Sequence, residues 1–251
     1  MQVSTNTQAL HGFDSLLPDC LPACYGARFV RSPSHELLPY QAAILTSIDH
    51  IATYVSQYQT HMTTNPIVDV FGLLHPLSEE TISDFEQIIA FNEFPRNTSL
   101  LEIGKKATTM FFVHKGLARK YYYLDGKDVT DYFAIDGQFI GAVPSIVTSA
   151  VNDKAIHLIE NSEVYYFKYS EFEACMARHH DLERAVRKHI SLELLSAQKR
   201  IESLRFYSMK ERYELLSEKY PGIMNRCPLH YIASYLGTSQ VSISRIRAGL
   251  Q

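Results

Sequence analysis

The chain has 251 residues, of which 46% are hydrophobic and 20% are charged, and this composition is typical of a globular protein that buries a core. Its formal net charge of −3 excludes a protein that is basic over its whole surface, so nucleic-acid binding would need a local basic patch. No apolar run is long enough to cross a bilayer, and the first residues lack the features of a signal peptide. The four cysteines are scattered, which favours reduced thiols and a cytoplasmic location.

The first 61 residues contain no lysine and carry a net charge of −2. Ile44, Ile48, Ile51 and Val55 recur at helical spacing, which predicts one helix in this segment. Two interpretations of residues 1–61 stay open. They are either an addition to the compact protein, as an appended or partly disordered extension or as the product of an upstream start that is not the natural one, or an ordinary N-terminal helix that packs on it.

Residues 62–170 carry the pattern of a small antiparallel roll. Ser78 is a predicted helix N-cap, and two acidic residues follow it in the first turn, where the helix dipole favours them. From Ser99 to Lys168 the chain consists of short β-branched and aromatic runs separated by turns. The dipeptide Asp125–Gly126 between two of these runs is a strong hairpin signal. The many short strands predict an α+β fold built on an antiparallel β-roll or small barrel.

Residues 171–205 are predicted to form two helices with a break near His179. Ser170 and Glu173 have the spacing of a capping box, which places the start of the first helix at Ser170. The second helix is long, and its apolar residues follow one another at the spacing of a coiled-coil seam. This stripe needs a partner, either the roll of the same chain or the same helix of a second subunit, and its length favours a homodimer. The predicted dimerisation residues are Val186, Ile190, Leu194, Ala197 and Ile201.

Residues 206–251 contain the pattern of a helix-turn-helix. Ala233 occupies the position where a small residue lets two helices cross, Gly237 occupies the turn, and Ile243 is a buried position of the second helix. The second helix, over residues 239–248, is expected to expose polar and basic side chains. The candidate DNA-binding residues are Ser239, Gln240, Val241, Ser242, Ser244, Arg245 and Arg247. The alternative is a solvated helical hairpin with no nucleic-acid partner.

The chemistry of this exposed face suits double-stranded DNA. Gln240 can make two hydrogen bonds to adenine, Arg245 can make two to guanine or bind a phosphate, and Val241 can contact a thymine methyl group. From Pro221 to the end of the chain there are three arginines, Arg226 among them, and no acidic residue, which gives a local charge of +3. Such a basic segment on an acidic protein is expected of a DNA-binding face.

A strand-rich roll, a long helix and a terminal helix-turn-helix, in this order, resemble the Crp–Fnr family of bacterial transcription regulators. The resemblance covers about residues 70–251, and SMKERY (208–213) looks like the branch found in Bacteroidetes-type members. The stretches that carry the resemblance are DGQFIGA (136–142), IENSEVYYFKYSEFE (159–173) and IASYLGTSQVSISRIR (232–247).

The resemblance implies a β-roll sensor domain, a dimerisation helix and a DNA-binding helix-turn-helix, which together act as a homodimer on a palindromic site. It implies no catalysis and no cofactor. RNA polymerase and a small-molecule effector are further candidate partners. The base-reading residues carried over by position are Gln240, Val241, Ser244 and Arg245.

The nucleotide pocket of the family is degenerate in this chain. Family members that bind cyclic nucleotides have a glutamate after the second glycine of the cassette and an arginine further on. Here Ala142 follows Gly141, and Asn152 stands at the arginine position beside Asp153. Because the cyclic phosphate would be left unpaired, cyclic AMP binding is not expected. The predicted degenerate pocket comprises Gly137, Gly141, Ala142, Asn152 and Asp153.

Other features leave alternatives open. The chain ends four residues after Arg247, so the β-wing of the family is either absent or formed by strands near residues 223–228. His114 and His157 stand alone on predicted strands and belong to no recognisable metal site. The main rival to a DNA reader is a small-molecule sensor that acts through protein contacts. A barrel enzyme has no supporting constellation of residues.

Overall fold

The computed structural model of the protein describes residues 65–249, so the helix predicted within residues 1–61 lies outside the described residues. The helices are Pro66–Leu74 (α1), Glu79–Ile88 (α2), Val143–Thr148 (α3), Tyr169–Arg178 (α4), His180–Phe206 (α5), Met209–Lys219 (α6), Ile223–Arg226 (α7), Leu229–Leu236 (α8) and Gln240–Arg247 (α9). The strands are Ala90–Phe94 (β1), Ser99–Leu101 (β2), Thr109–Lys115 (β3), Ala118–Leu124 (β4), Lys127–Ala134 (β5), Gln138–Ile140 (β6), Ala155–Leu158 (β7) and Ser162–Lys168 (β8).

The eight strands form two four-stranded sheets, in the orders β1-β8-β3-β6 and β2-β7-β4-β5. All of the strand pairs in both sheets are antiparallel. Val113 and Val164 from the first sheet and Ile156 and Leu158 from the second share one buried apolar cluster. The predicted α+β fold is therefore confirmed: an antiparallel β-roll is followed by C-terminal helices.

Local sequence signals account for several element boundaries. Asp125 and Gly126 both have positive φ, at 50° and 72°, in the hairpin turn that the sequence predicts between β4 and β5. The Ser78 hydroxyl accepts a hydrogen bond from the backbone N–H of Thr81, so the predicted N-cap of α2 is confirmed. The predicted N-cap of α4 at Ser170 is wrong. The N-cap is Lys168, two residues earlier, and it makes no side-chain cap, because β8 continues directly into the helix.

Helix α5 is 27 residues long, and its two halves have different surroundings. Its first half packs against α1, and Val186 lies in a buried cluster with Ile67 and Phe71. The inclusion of Val186 among the dimerisation residues is therefore wrong, because the same chain already covers it. Further along the helix, four predicted residues form an exposed apolar stripe. They are Ile190, Leu194, Ala197 and Ile201.

The C-terminal segment is entirely helical between Met209 and Arg247, apart from its short connections. One of the two alternatives for the β-wing was a pair of strands near residues 223–228. That alternative is wrong, because a four-residue helix, α7, occupies this segment. No helix within residues 65–249 combines the length and the apolar character needed to span a membrane.

Candidate functional site

Helices α8 and α9 are joined by a short turn and enclose a small apolar core. Ile232, Ala233 and Ile243 are buried between the two helices. Gly237 ends α8 with φ 68°, a left-handed conformation that glycine adopts without steric cost. The Ser239 hydroxyl accepts a hydrogen bond from the backbone N–H of Ser242, and this cap starts α9. The turn and the apolar contact between the two helices thus hold α9 in its orientation relative to α8.

The opposite side of α9 faces solvent. Val241 is 61% exposed, and Gln240, Ser244, Arg245 and Arg247 are exposed as well. Among residues 65–249, neither of these two arginines is in an ion pair with an acidic side chain. This surface therefore offers amide, methyl and guanidinium groups together, which are the groups that contact base edges and phosphates in a DNA groove.

Two of the predicted DNA-binding residues are engaged in capping. The hydroxyl oxygens of Ser239 and Ser242 lie 3.0 Å apart within hydrogen-bonding distance, and the Ser239 oxygen also accepts the Ser242 backbone N–H. Ser242 is only half-exposed. Ser239 is the N-cap of α9, where its oxygen satisfies one of the free N–H groups, and the Ser242 hydroxyl is in contact with it.

Arg226 does not belong to this basic surface, although it contributes to the +3 charge of the segment. Its Nη1 donates to Asp136 at 2.7 Å, its Nε donates to Glu160 at 3.1 Å, and its Nη2 donates to the carbonyl oxygen of Gly116 at 2.8 Å. Although burial opposes ionisation of Asp136, the hydrogen bonds from Arg226 and from the Gly116 N–H lower the pKa of its carboxyl group. The charge of Arg226 is therefore neutralised by the roll. Sequence reasoning missed this contact.

The first helix of the motif packs on the roll. The Ser234 hydroxyl accepts from the backbone N–H of Thr130 at 2.9 Å and donates to the carbonyl oxygen of Asp128 at 3.1 Å, along the free edge of β5. The completely buried Arg119 guanidinium lies over the ring of Tyr231, 3.6 Å from its centroid. The roll and the helix-turn-helix therefore meet through hydrogen bonds and a cation–π contact.

One buried apolar cluster contains residues of both parts. Leu117, Phe133, Ile135 and Ile159 come from the roll. The members from the C-terminal helices are Leu216, Tyr220, Ile223, Cys227, Ile232, Ala233, Tyr235, Leu236 and Ile243. Helices α8 and α9 therefore share one buried core with β5 of the roll.

The region of the predicted nucleotide pocket contains only a small cavity. A cavity of about 70 Å³ lies between α3 and the chain around Asn152, with Ala142 and Asp153 among its lining residues. Pockets that hold small-molecule ligands have volumes of about 300–1,000 Å³. Gly141 packs so tightly that a Cβ atom there would lie 2.5 Å from the Met110 sulfur. Gly137 lies in an exposed turn with φ 80°.

Two lysines that line this cavity share one carboxylate partner. The Nζ atoms of Lys120 and Lys154 lie 3.3 Å and 3.0 Å from one carboxylate oxygen of Asp131, so the three groups together carry a net charge of +1. The side-chain oxygen of Asn152 accepts the backbone N–H of Lys154 at 3.2 Å, and its amide group donates to the Lys154 carbonyl. The buried Asn152 thus closes a local turn.

His157 lies at the contact between the roll and α8. Its ring centroid is 5.1 Å from that of Tyr121 and 5.8 Å from that of Tyr231. Burial, and then the positive charge of Arg119, lower the pKa of His157 to about 4. His114 lies apart from it, 3.8 Å from Glu163. Within residues 65–249 no group of three metal-ligating side chains comes together.

The comparisons with known proteins concern the roll and the overall fold. Residues 91–179 match the sequence model of the cyclic nucleotide-binding domain. A search of curated proteins finds no match to the chain.

Solved structures share the fold of most of the chain. The c-di-GMP-responsive global regulator CLP of Xanthomonas campestris is 16% identical, with 69% of this chain aligned to 92% of that one and a TM-score of 0.53. A CooA mutant from Carboxydothermus hydrogenoformans is 17% identical, with coverages of 76% and 86% and a TM-score of 0.54. A protein of Eubacterium rectale, provisionally assigned to the Crp/Fnr transcriptional regulators, is 16% identical, with coverages of 73% and 88% and a TM-score of 0.56. These likenesses establish the fold.

Proposed function

We propose that the chain is a homodimeric, sequence-specific DNA-binding transcription regulator of the Crp/Fnr type. The observation that carries the proposal is the exposed surface of α9, where Gln240, Val241, Ser244, Arg245 and Arg247 face solvent while Ile243 is buried. A helix with this face, seated in a helix-turn-helix, has the shape and chemistry to enter the major groove. Arg245 is assigned to a base edge, and Arg247 to a phosphate.

The dimer is supported by the exposed half of α5. Leu194 is 60% exposed, and Ile190 and Ile201 are exposed to a similar degree. A contiguous apolar stripe of this kind on a soluble protein marks an interaction surface. A second copy of α5 would cover it with an identical stripe. The two α9 helices would then reach successive major grooves about 34 Å apart on a palindromic site.

In this proposal the roll does not bind cyclic AMP and the protein has no catalytic role. The small cavity at the cassette supports the first statement. Any effector would be a different small molecule. RNA polymerase as a partner, a cytoplasmic location and the Bacteroidetes-type branch stay predictions from the sequence.

The proposal is tested by replacing Arg245 with alanine and measuring affinity for a duplex enriched from random DNA. Loss of a bidentate contact to guanine is expected to weaken binding by about 1–3 kcal/mol and to relax the preference at one base pair. The matched control is Arg96→Ala, which removes an exposed arginine from the turn between β1 and β2. Equal affinities for the two variants and the parent protein would favour the rival function, a sensor that acts through protein contacts.

A further inference from the structure

Arg226 stands at the junction of the roll and the DNA-binding helices. It is the last residue of α7, directly before the helix-turn-helix, and only a quarter of its side chain is exposed. Its three partners come from three different connections of the roll: Gly116 between β3 and β4, Asp136 between β5 and β6, and Glu160 between β7 and β8. A planar guanidinium that binds two carboxylates and a carbonyl is fixed in direction as well as in position.

Other contacts join the same helices to the long helix α5. The Arg200 guanidinium lies 4.2 Å from the ring centroid of Tyr235 in α8, and it donates to the carbonyl oxygen of Asp131 in β5. Lys219 of α6 donates to the Ser196 hydroxyl of α5 at 2.7 Å. Through these contacts the orientation of α9 is tied to α5, the helix that carries the exposed apolar stripe.

A dimer that reads a palindrome needs this orientation to be fixed. The separation of its two recognition helices selects the spacing between the half-sites, because each helix must meet its own groove. If one attachment is loosened, each α9 helix can still fit a half-site. The two helices would then no longer prefer one separation.

We propose that Arg226 is a positioning residue for DNA reading, which sets the half-site spacing through Asp136 and Glu160 and does not itself contact DNA. This inference rests on the proposed function. From composition alone, Arg226 would be one more cation on the DNA-binding face. The two roles can be told apart, because only a positioning role requires the two carboxylates of the roll.

The experiment uses the full chain and a library of duplexes in which two copies of the enriched half-site are separated by spacers of varied length. Three variants are compared with the parent protein. Arg226→Gln breaks the contact from the helical side, and the double variant Asp136→Asn with Glu160→Gln breaks it from the roll. Arg178→Gln is the matched control, because it removes an arginine–aspartate pair with Asp84 at 3.1 Å within the other helices. Thermal melting verifies that each variant is folded.

The inference predicts that both contact-breaking variants accept several spacers where the parent accepts one. Their affinity for the best palindrome should fall about tenfold, the order expected for the loss of a hydrogen-bonded charge pair. Their affinity for a single half-site should stay near that of the parent protein, and Arg178→Gln should match the parent throughout.

Two results would overturn the inference while leaving the proposed function intact. The first is an unchanged spacer preference in both variants. The second is a change of affinity in opposite directions, in which Arg226→Gln weakens binding to every duplex and the double variant strengthens it. This result is expected if Arg226 contacts a phosphate, because the double variant frees its charge. If the parent protein enriches no half-site at all, the proposed function fails, and the inference fails with it.

Discussion

Phe133 joins the roll to the C-terminal helices, so its truncation should destabilise both. The side chain is 0% exposed on β5, and its ring centroid lies 5.9 Å from that of Tyr220 and 5.3 Å from that of Tyr235. Replacing a buried phenylalanine with alanine lowers the free energy of unfolding by about 3–5 kcal/mol, through lost transfer energy and the cavity left behind. For Phe133→Ala the cavity would lie between β5 and the helices of the C-terminal segment.

The matched control is Phe112→Ala. Phe112 is 1% exposed, and its ring lies 4.9 Å from that of Phe139 between centroids, in the buried cluster that β3 forms with α1, α2, α4 and α5. Urea unfolding should show losses of similar size for the two variants. Native-state hydrogen exchange should differ, because Phe133→Ala should accelerate exchange of the amides of α8 much more than Phe112→Ala does. Equal acceleration in α8 by both variants would refute a core shared between the roll and the C-terminal helices.

Two further predictions concern acid stability and assembly. Despite the opposing effect of burial, hydrogen bonds from the Ser78 N–H and the Thr81 hydroxyl lower the pKa of Asp181 to about 2. The stabilisation from this carboxylate should be complete above about pH 4 and lost as the pH falls toward 2. The free energy of unfolding of Asp181→Asn, measured against pH, should lack this loss. Leu194→Glu should shift the sedimentation equilibrium from dimer to monomer, since it places a charge in the apolar stripe. An unchanged dimer would exclude this face of α5 as the dimer interface.

Signals that act over a few residues could be read from the sequence. The Asp125–Gly126 turn, the Ser78 cap and the glycine at the end of α8 each depend on backbone geometry within four or five positions. Strand β1 was not predicted, since its residues are mostly exposed and show no alternation of burial. The N-cap of α4 was misplaced by two residues because strand β8 runs into the helix without a turn.

Contacts between distant parts of the chain were beyond sequence reasoning. Arg226 is 90 residues from Asp136 and 66 from Glu160, so nothing near it in the sequence shows that its charge is neutralised. Val186 has the same spacing as the exposed residues of its stripe, and only the packing of α1 on α5 separates it from them. Burial of Arg119 inside a strand likewise depends on Tyr231, which is far along the chain.

The proposal that α9 reads DNA as part of a dimer is tested most directly by selecting random duplex DNA on the purified protein and sequencing the bound fraction. We expect an enriched palindrome with half-site centres about one helical turn, 34 Å, apart. We expect the same palindrome whether cyclic AMP is present or absent. A folded, dimeric protein that enriches no sequence at low salt would contradict the proposal.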